Sequence, residues 1–92
     1  MSVYITVDLK PIDPEKLKEY STAAGPTVEA HGGRFVGRGP VETLHGDEEF
    51  PVKAIIEFPN RETALGWYNS SEYQALIPLR DQGMESRFQL VG

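Results

Sequence analysis

The chain has 92 residues, no cysteine and a formal net charge of −5 at pH 7, with 39% of its residues hydrophobic. That is one small domain, residues 1–92, which buries only about 60–65% of its unfolded surface and is marginal as a lone protomer. Without cysteine there are no disulfides, thiolate metal ligands or thiol nucleophiles, the acidic balance speaks against binding nucleic-acid phosphates, and no apolar run is long enough to span a membrane.

The opening Met1-Ser2-Val3-Tyr4-Ile5 has no basic segment leading into an apolar stretch, so no signal peptide is expected. Together with the missing cysteines this fits a cytoplasmic protein. Val3, Ile5 and Val7 alternate with Tyr4, Thr6 and Asp8, the period of a strand. Asp13-Pro14 starts a helix, since Asp caps free N–H groups and Pro loses nothing at the first helical position. Leu17, Tyr20, Ala24 and Val28 continue along one helix face. Pro26 removes a backbone donor and predicts a kink near Ala24-Gly25. Gly32-Gly33 ends the helix, because glycine takes the left-handed C-terminal position without steric cost.

A strand is expected from Arg34 to about Leu44, bent or bulged at Gly37 and Gly39-Pro40. His45-Gly46-Asp47-Glu48-Glu49 reads as a solvated acidic turn. Lys53 to Phe58 is a further strand, with Ala54, Ile56 and Phe58 facing opposite to Ile55 and Glu57, so that both faces need cover. Asn60 caps a second helix carrying Ala64, Leu65 and Tyr68. Asn69 and Glu72 have capping-box spacing and restart a helix that holds Tyr73, Leu76, Ile77 and Arg80 on one face, disturbed in its middle by Pro78. Ser86 to Val91 closes as a strand with Phe88 and Leu90 on one face.

The order β-α-β-β-α-β is the ferredoxin-like plan of an α+β domain, an antiparallel sheet with its helices on one face. The other face still carries apolar residues. A second copy packed sheet against sheet about a two-fold axis is the economical cover, so a homodimer is expected.

Tyr4, Asp13-Pro14, Tyr20, His31-Gly32-Gly33-Arg34-Phe35, Arg38-Gly39, Glu57-Phe58-Pro59, Trp67-Tyr68-x-Ser70-x-Glu72-Tyr73-Gln74-Ala75-Leu76, Arg80 and Leu90-Val91-Gly92 resemble the bacterial domain of unknown function 1330 family over nearly the whole chain. The resemblance implies a ferredoxin-like fold within the dimeric α/β-barrel superfamily. That superfamily also holds cofactor-independent monooxygenases, lactone isomerases and stress-responsive barrels, while the family itself implies no defined activity. Ser71 stands where members often carry Pro, a change that touches a helix start.

Polar side chains gather where elements are expected to end. His31, at a helix C-terminus, is either a general acid or base or simply a partner for the terminal carbonyls. Arg34 either clamps a carboxylate or pairs with Glu57 on the neighbouring strand. Tyr68 and Tyr73 suit a core, yet their hydroxyls need partners once buried. Ser70 is a cap, since no nucleophile-elbow sequence surrounds it. Arg80 shares a face with Tyr73 and is either a ligand contact or a salt-bridged surface residue. His31 and His45, the two histidines, show no metal spacing, and Gly32 to Gly39 lacks the lysine of a phosphate loop.

The catalytic candidates are therefore His31, Arg34 and Tyr73. The ligand-binding candidates are Tyr4, Glu57, Tyr68, Ser70 and Arg80, and no metal or cofactor is expected. Convergence of these groups on one small pocket would make the protein a cofactor-independent enzyme or binder of a small anionic or oxygenated organic molecule. Mutual satisfaction in a closed core would make it a non-catalytic dimeric module. Both readings stay open, with a second copy and a small-molecule ligand as the expected partners, and neither nucleic acid nor membrane.

Overall fold

The computed structural model describes residues 1–92. Its elements are β1 (Val3–Pro11), α1 (Pro14–Ala30), β2 (Arg34–Pro40), β3 (Val52–Phe58), α2 (Arg61–Tyr68), α3 (Ser71–Gln74), α4 (Ile77–Gly83) and β4 (Met84–Val91). The strands lie in the order β2-β3-β1-β4 and every neighbouring pair is antiparallel. This is the α+β, ferredoxin-like arrangement.

Strand alternation sorts the side chains into two faces. Val3, Ile5, Val7 and Leu9 of β1 are buried. Their register places Ile5 beside Ile56 and Leu90, and Val7 beside Ala54 and Phe88. The helices close over this face, adding Tyr20, Ala24 and Val28 from α1, Ala64 and Trp67 from α2, and Tyr73 from α3 to one core. The opposite face pairs Tyr4 with Glu57, Thr6 with Ile55 and Asp8 with Lys53. Asp8 is only 5% exposed there, because Arg87 donates to it at 3.1 and 2.9 Å and Lys53 pairs with it at 3.2 Å. The open face thus combines Tyr4, Ile55 and Val91 with a compact ionic cluster, rather than being apolar throughout.

Local chemistry fixes the helix ends. Asp13 accepts the N–H groups of Glu15 at 3.1 Å and Lys16 at 3.3 Å, as its position before Pro14 predicts. Instead of interrupting α1, Pro26 sits inside a continuous helix. The carbonyl it leaves without an N–H partner belongs to exposed Thr22, and Gly25 lacks the Cβ that a following proline ring crowds. At the far end the two glycines have different tasks. Gly32 takes the left-handed conformation with φ 80°, whereas Gly33 yields to its neighbour: a Cβ there would stand 2.5 Å from the Phe58 ring.

Several boundaries differ from the sequence reading, and β4 begins at Met84 rather than Ser86. β2 ends at Pro40 rather than near Leu44, with its register shift between Phe35 and Gly37. It is the edge strand, where prolines are tolerated and pairing stops easily. Asn69 is the C-cap of α2, its N–H bonded to the Leu65 carbonyl at 2.9 Å and the following Ser70 N–H bonded to the Trp67 carbonyl at 3.1 Å, while the Ser70 Oγ caps α3 by accepting the Tyr73 N–H at 3.2 Å. Pro78 lies in the first turn of α4 rather than in the middle of a longer helix. α4 packs on α1 through Gly83, where a Cβ would lie 2.7 Å from the Leu17 backbone nitrogen.

Candidate functional site

Between α1 and the covered face of the sheet lies a cavity of about 610 Å³, within the usual span of roughly 300–1,000 Å³ for small-molecule sites. Its origin is legible in side-chain volume. Ala24 and Gly25 on α1 face Ala54 on β3 across the gap, three positions where larger residues would have filled the layer. Of the 18 lining residues 13 are hydrophobic, and Lys18 and Arg38 are the charged ones. The wall thus has two cationic side chains and no acidic one, inside a chain of net charge −5. Arg38 is held over the Phe35 ring at 5.3 Å.

Tyr20 lines this cavity from α1, and its hydroxyl meets that of Tyr73 at 2.7 Å. Behind them the Arg80 Nη1 donates to the Tyr68 hydroxyl at 3.1 Å and to the Tyr73 hydroxyl at 3.3 Å. Arg80 also stacks over Phe88 at 4.9 Å and bonds Asp81 at 3.1 Å. Burial, reinforced by the neighbouring Tyr73, pushes the Tyr20 hydroxyl far above its ordinary 10.0. Burial likewise raises Tyr73, against the opposing pull of its bonds to Tyr20 and Arg80. Burial disfavours the Arg80 charge, but the bonds to Tyr68 and Tyr73 outweigh it and hold the guanidinium protonated. The cluster is a set of protonated donors, not a base.

The eight candidates named from sequence therefore fall in three places rather than around one pocket. Tyr68, Tyr73 and Arg80 come together beneath the helices, next to the cavity wall. His31 and Ser70 sit at helix ends: the His31 Nδ1 donates to the Thr27 carbonyl at 2.9 Å, and the Ser70 hydroxyl donates to the Trp67 carbonyl at 2.7 Å. Tyr4, Arg34 and Glu57 lie on the open face, on the other side of the sheet. There the Arg34 Nε meets the Glu57 Oε1 at 2.7 Å, and the bonds from Arg34 and then Ser2 hold the Glu57 carboxyl below its ordinary 4.5. The separation follows from strand parity. Arg34 and Glu57 are register partners, and each precedes a residue of the covered face.

Sequence reasoning did not place Lys18, Tyr20, Arg38 or Trp67 at the site. Tyr20 had a usable signal, a tyrosine at a buried helical position whose hydroxyl must find a partner. The indole of Trp67, almost fully buried, donates at 2.9 Å to the Thr27 hydroxyl, which itself donates to the Ala24 carbonyl at 2.7 Å. That chain of bonds ties α2 to α1 at the cavity edge.

The model of the family described as domain of unknown function (DUF1330) matches residues 2–92. No curated protein matches the chain. Among solved structures it is similar to RPA0582, a protein of unknown function from Rhodopseudomonas palustris, with a TM-score of 0.78 and 20% identity over 98% of this chain and 80% of that one. It is also similar to SnoaB, a cofactor-independent oxygenase from Streptomyces nogalater, with a TM-score of 0.72 and 10% identity over 99% of this chain and 91% of that one. A dimeric ferredoxin-like protein of unknown function from Thermobifida fusca gives 0.67 and 8% identity, covering 100% of this chain and 91% of that one. At these identities the likeness is one of fold.

Proposed function

We propose that this chain, which belongs to the DUF1330 family, is a homodimeric protein that takes a small oxygenated or anionic organic molecule into the cavity between α1 and the sheet, without a cofactor. The cavity carries the reading. A small domain that leaves about 610 Å³ open beside its core keeps in contact with water an apolar wall that closer packing would have covered. A ligand that fills the space covers it instead. The apolar walls suit a carbon skeleton, and Lys18 and Arg38 suit a negatively charged or oxygen-bearing end. The fold shared with a cofactor-independent oxygenase makes chemistry in such a cavity a natural extension, and the dimeric neighbours of the same fold support a homodimer, for which the sheet face left bare by the helices is the surface to pair.

A non-catalytic role draws on a different observation: His31, Ser70 and Arg34 are each bonded within the chain. Trp67, the single tryptophan, lines the cavity and distinguishes the two. Titration with 2-acetylnaphthalene is expected to quench Trp67 fluorescence to saturation at one molecule per chain. Absence of saturable quenching with this probe and with a panel of small aromatic acids favours the non-catalytic reading.

A further inference from the structure

We infer that the Tyr20 hydroxyl is a hydrogen-bond donor the cavity presents to its ligand, beside the cationic Lys18 and Arg38, and that the ligand class is an organic molecule bearing a ketone, quinone or enolate oxygen on an apolar skeleton. This rests on the cavity being a ligand site and narrows what enters it.

The argument is a count of hydrogens. A guanidinium only donates, so both bonds from the Arg80 Nη1 place hydrogens on the oxygens of Tyr68 and Tyr73. Between Tyr20 and Tyr73, 2.7 Å apart, one hydroxyl donates and the other accepts. Were Tyr20 the donor, the Tyr73 hydrogen would need a second acceptor. Tyr73 is fully buried, and its hydroxyl partners are Tyr20 and a donor-only arginine. Tyr73 therefore donates to Tyr20. The Tyr20 hydrogen is left without an acceptor in the protein, on a side chain that lines the cavity.

The direction of the chain, Arg80 to Tyr73 to Tyr20, adds to its strength. Each bond polarises the next, and the positive charge at its far end makes the last hydroxyl a better donor to an oxygen that carries or develops negative charge. Burial raises the Tyr20 and Tyr73 hydroxyls while Arg80 pulls the other way, so both keep their protons and remain able to donate. Apolar walls such as Val7 and Ala54 offer no competing acceptor, and a donor buried without one costs free energy until a ligand supplies it.

The test compares 2-acetylnaphthalene with 2-ethylnaphthalene, which has nearly the same shape and no oxygen, on wild-type protein and on Tyr20→Phe. Affinity is read from Trp67 quenching, and the carbonyl stretch of carbon-13-labelled ketone is read in the bound state. The expected result is ketone binding weakened by about five- to tenfold in Tyr20→Phe, with ethyl binding unchanged. The stretch should lie below its hexane value in the wild type and return to it in the variant. If both probes bind, the variant binds ketone as well as the wild type does and the stretch matches hexane, the inference is overturned while the cavity reading stands. If neither probe binds the wild type, the cavity reading fails and the inference with it. If the variant loses the hydrocarbon as well, the stretch is read in the wild type and in Lys18→Met/Arg38→Met: a hexane-like value in either overturns the inference, and one that stays lowered in both supports it.

Discussion

Tyr20 and Tyr73, 53 positions apart in the chain, touch hydroxyl to hydroxyl at 2.7 Å. The contact fastens α1 to α3 and also sets the chemistry at the cavity wall, because Arg80 bonds to Tyr73 on the other side. A polar contact in a core is costly when half made. Here the arginine supplies the missing hydrogens for two tyrosine oxygens at once.

The raised hydroxyls make alkaline stability a direct readout of this contact. Both groups hold their protons more tightly folded than unfolded. Their contribution is fully present below the ordinary value of 10.0 and falls away as pH rises above it, where the unfolded chain releases protons the folded chain keeps. Denaturation midpoints are expected to drop steeply above that value. Tyr73→Phe, besides lowering stability, should flatten the slope.

The glycines separate packing from backbone freedom. Gly33→Ala forces a Cβ into the Phe58 ring at 2.5 Å and is expected to cost about 1–3 kcal/mol. Gly66 lies exposed within α2, where a Cβ meets nothing within 4 Å. Gly66→Ala should therefore stabilise by roughly 0.5–1 kcal/mol. Thermal melts of the two variants should move in opposite directions.

Arg34 and Glu57 should show coupling that depends on pH. The hydrogen bond from Arg34 is the largest cause of the lowered Glu57 carboxyl, so the pair contributes above 4.5 and loses its contribution as pH falls through the lowered value. Arg34 is 74% exposed on its side chain, so the coupling is small and screened by salt. A double-mutant cycle with Arg34→Ala and Glu57→Gln is expected to give favourable coupling at neutral pH and none in strong acid.

Assembly is tested on the open face. Light scattering coupled to size exclusion at micromolar concentration is expected to report about twice the 10.3 kDa chain mass. Ile55→Asp, which puts a charge on that face without touching the cavity, should shift the protein towards monomer.

Much of the fold was legible because its signals are local. Asp13-Pro14 caps α1 as its residue types require, and the alternation of Val3, Ile5 and Val7 gives the buried face of β1 directly. Bringing the site together required register. Glu57 and Phe58 are adjacent, yet strand parity sends them to opposite sides of the sheet, which places Arg34 and Arg80 on different sides despite their equal suitability for an anion. The capping-box spacing of Asn69 and Glu72 misled for a similar reason. Spacing does not say which of two neighbouring residues bends out of the helix, and Ser70 is the one that accepts the Tyr73 N–H. The cavity has the weakest sequence signal, since it consists of what Ala24, Gly25 and Ala54 do not fill.

The central claim is that a small organic molecule enters between α1 and the sheet rather than on the open face. Intermolecular nuclear Overhauser effects from bound 2-acetylnaphthalene to assigned methyl groups test it most directly. The account predicts contacts to Ala24 and Ala54, both on the cavity wall. Contacts to Ile55 and Val91 in their place, or none to any methyl of the covered face, would contradict it.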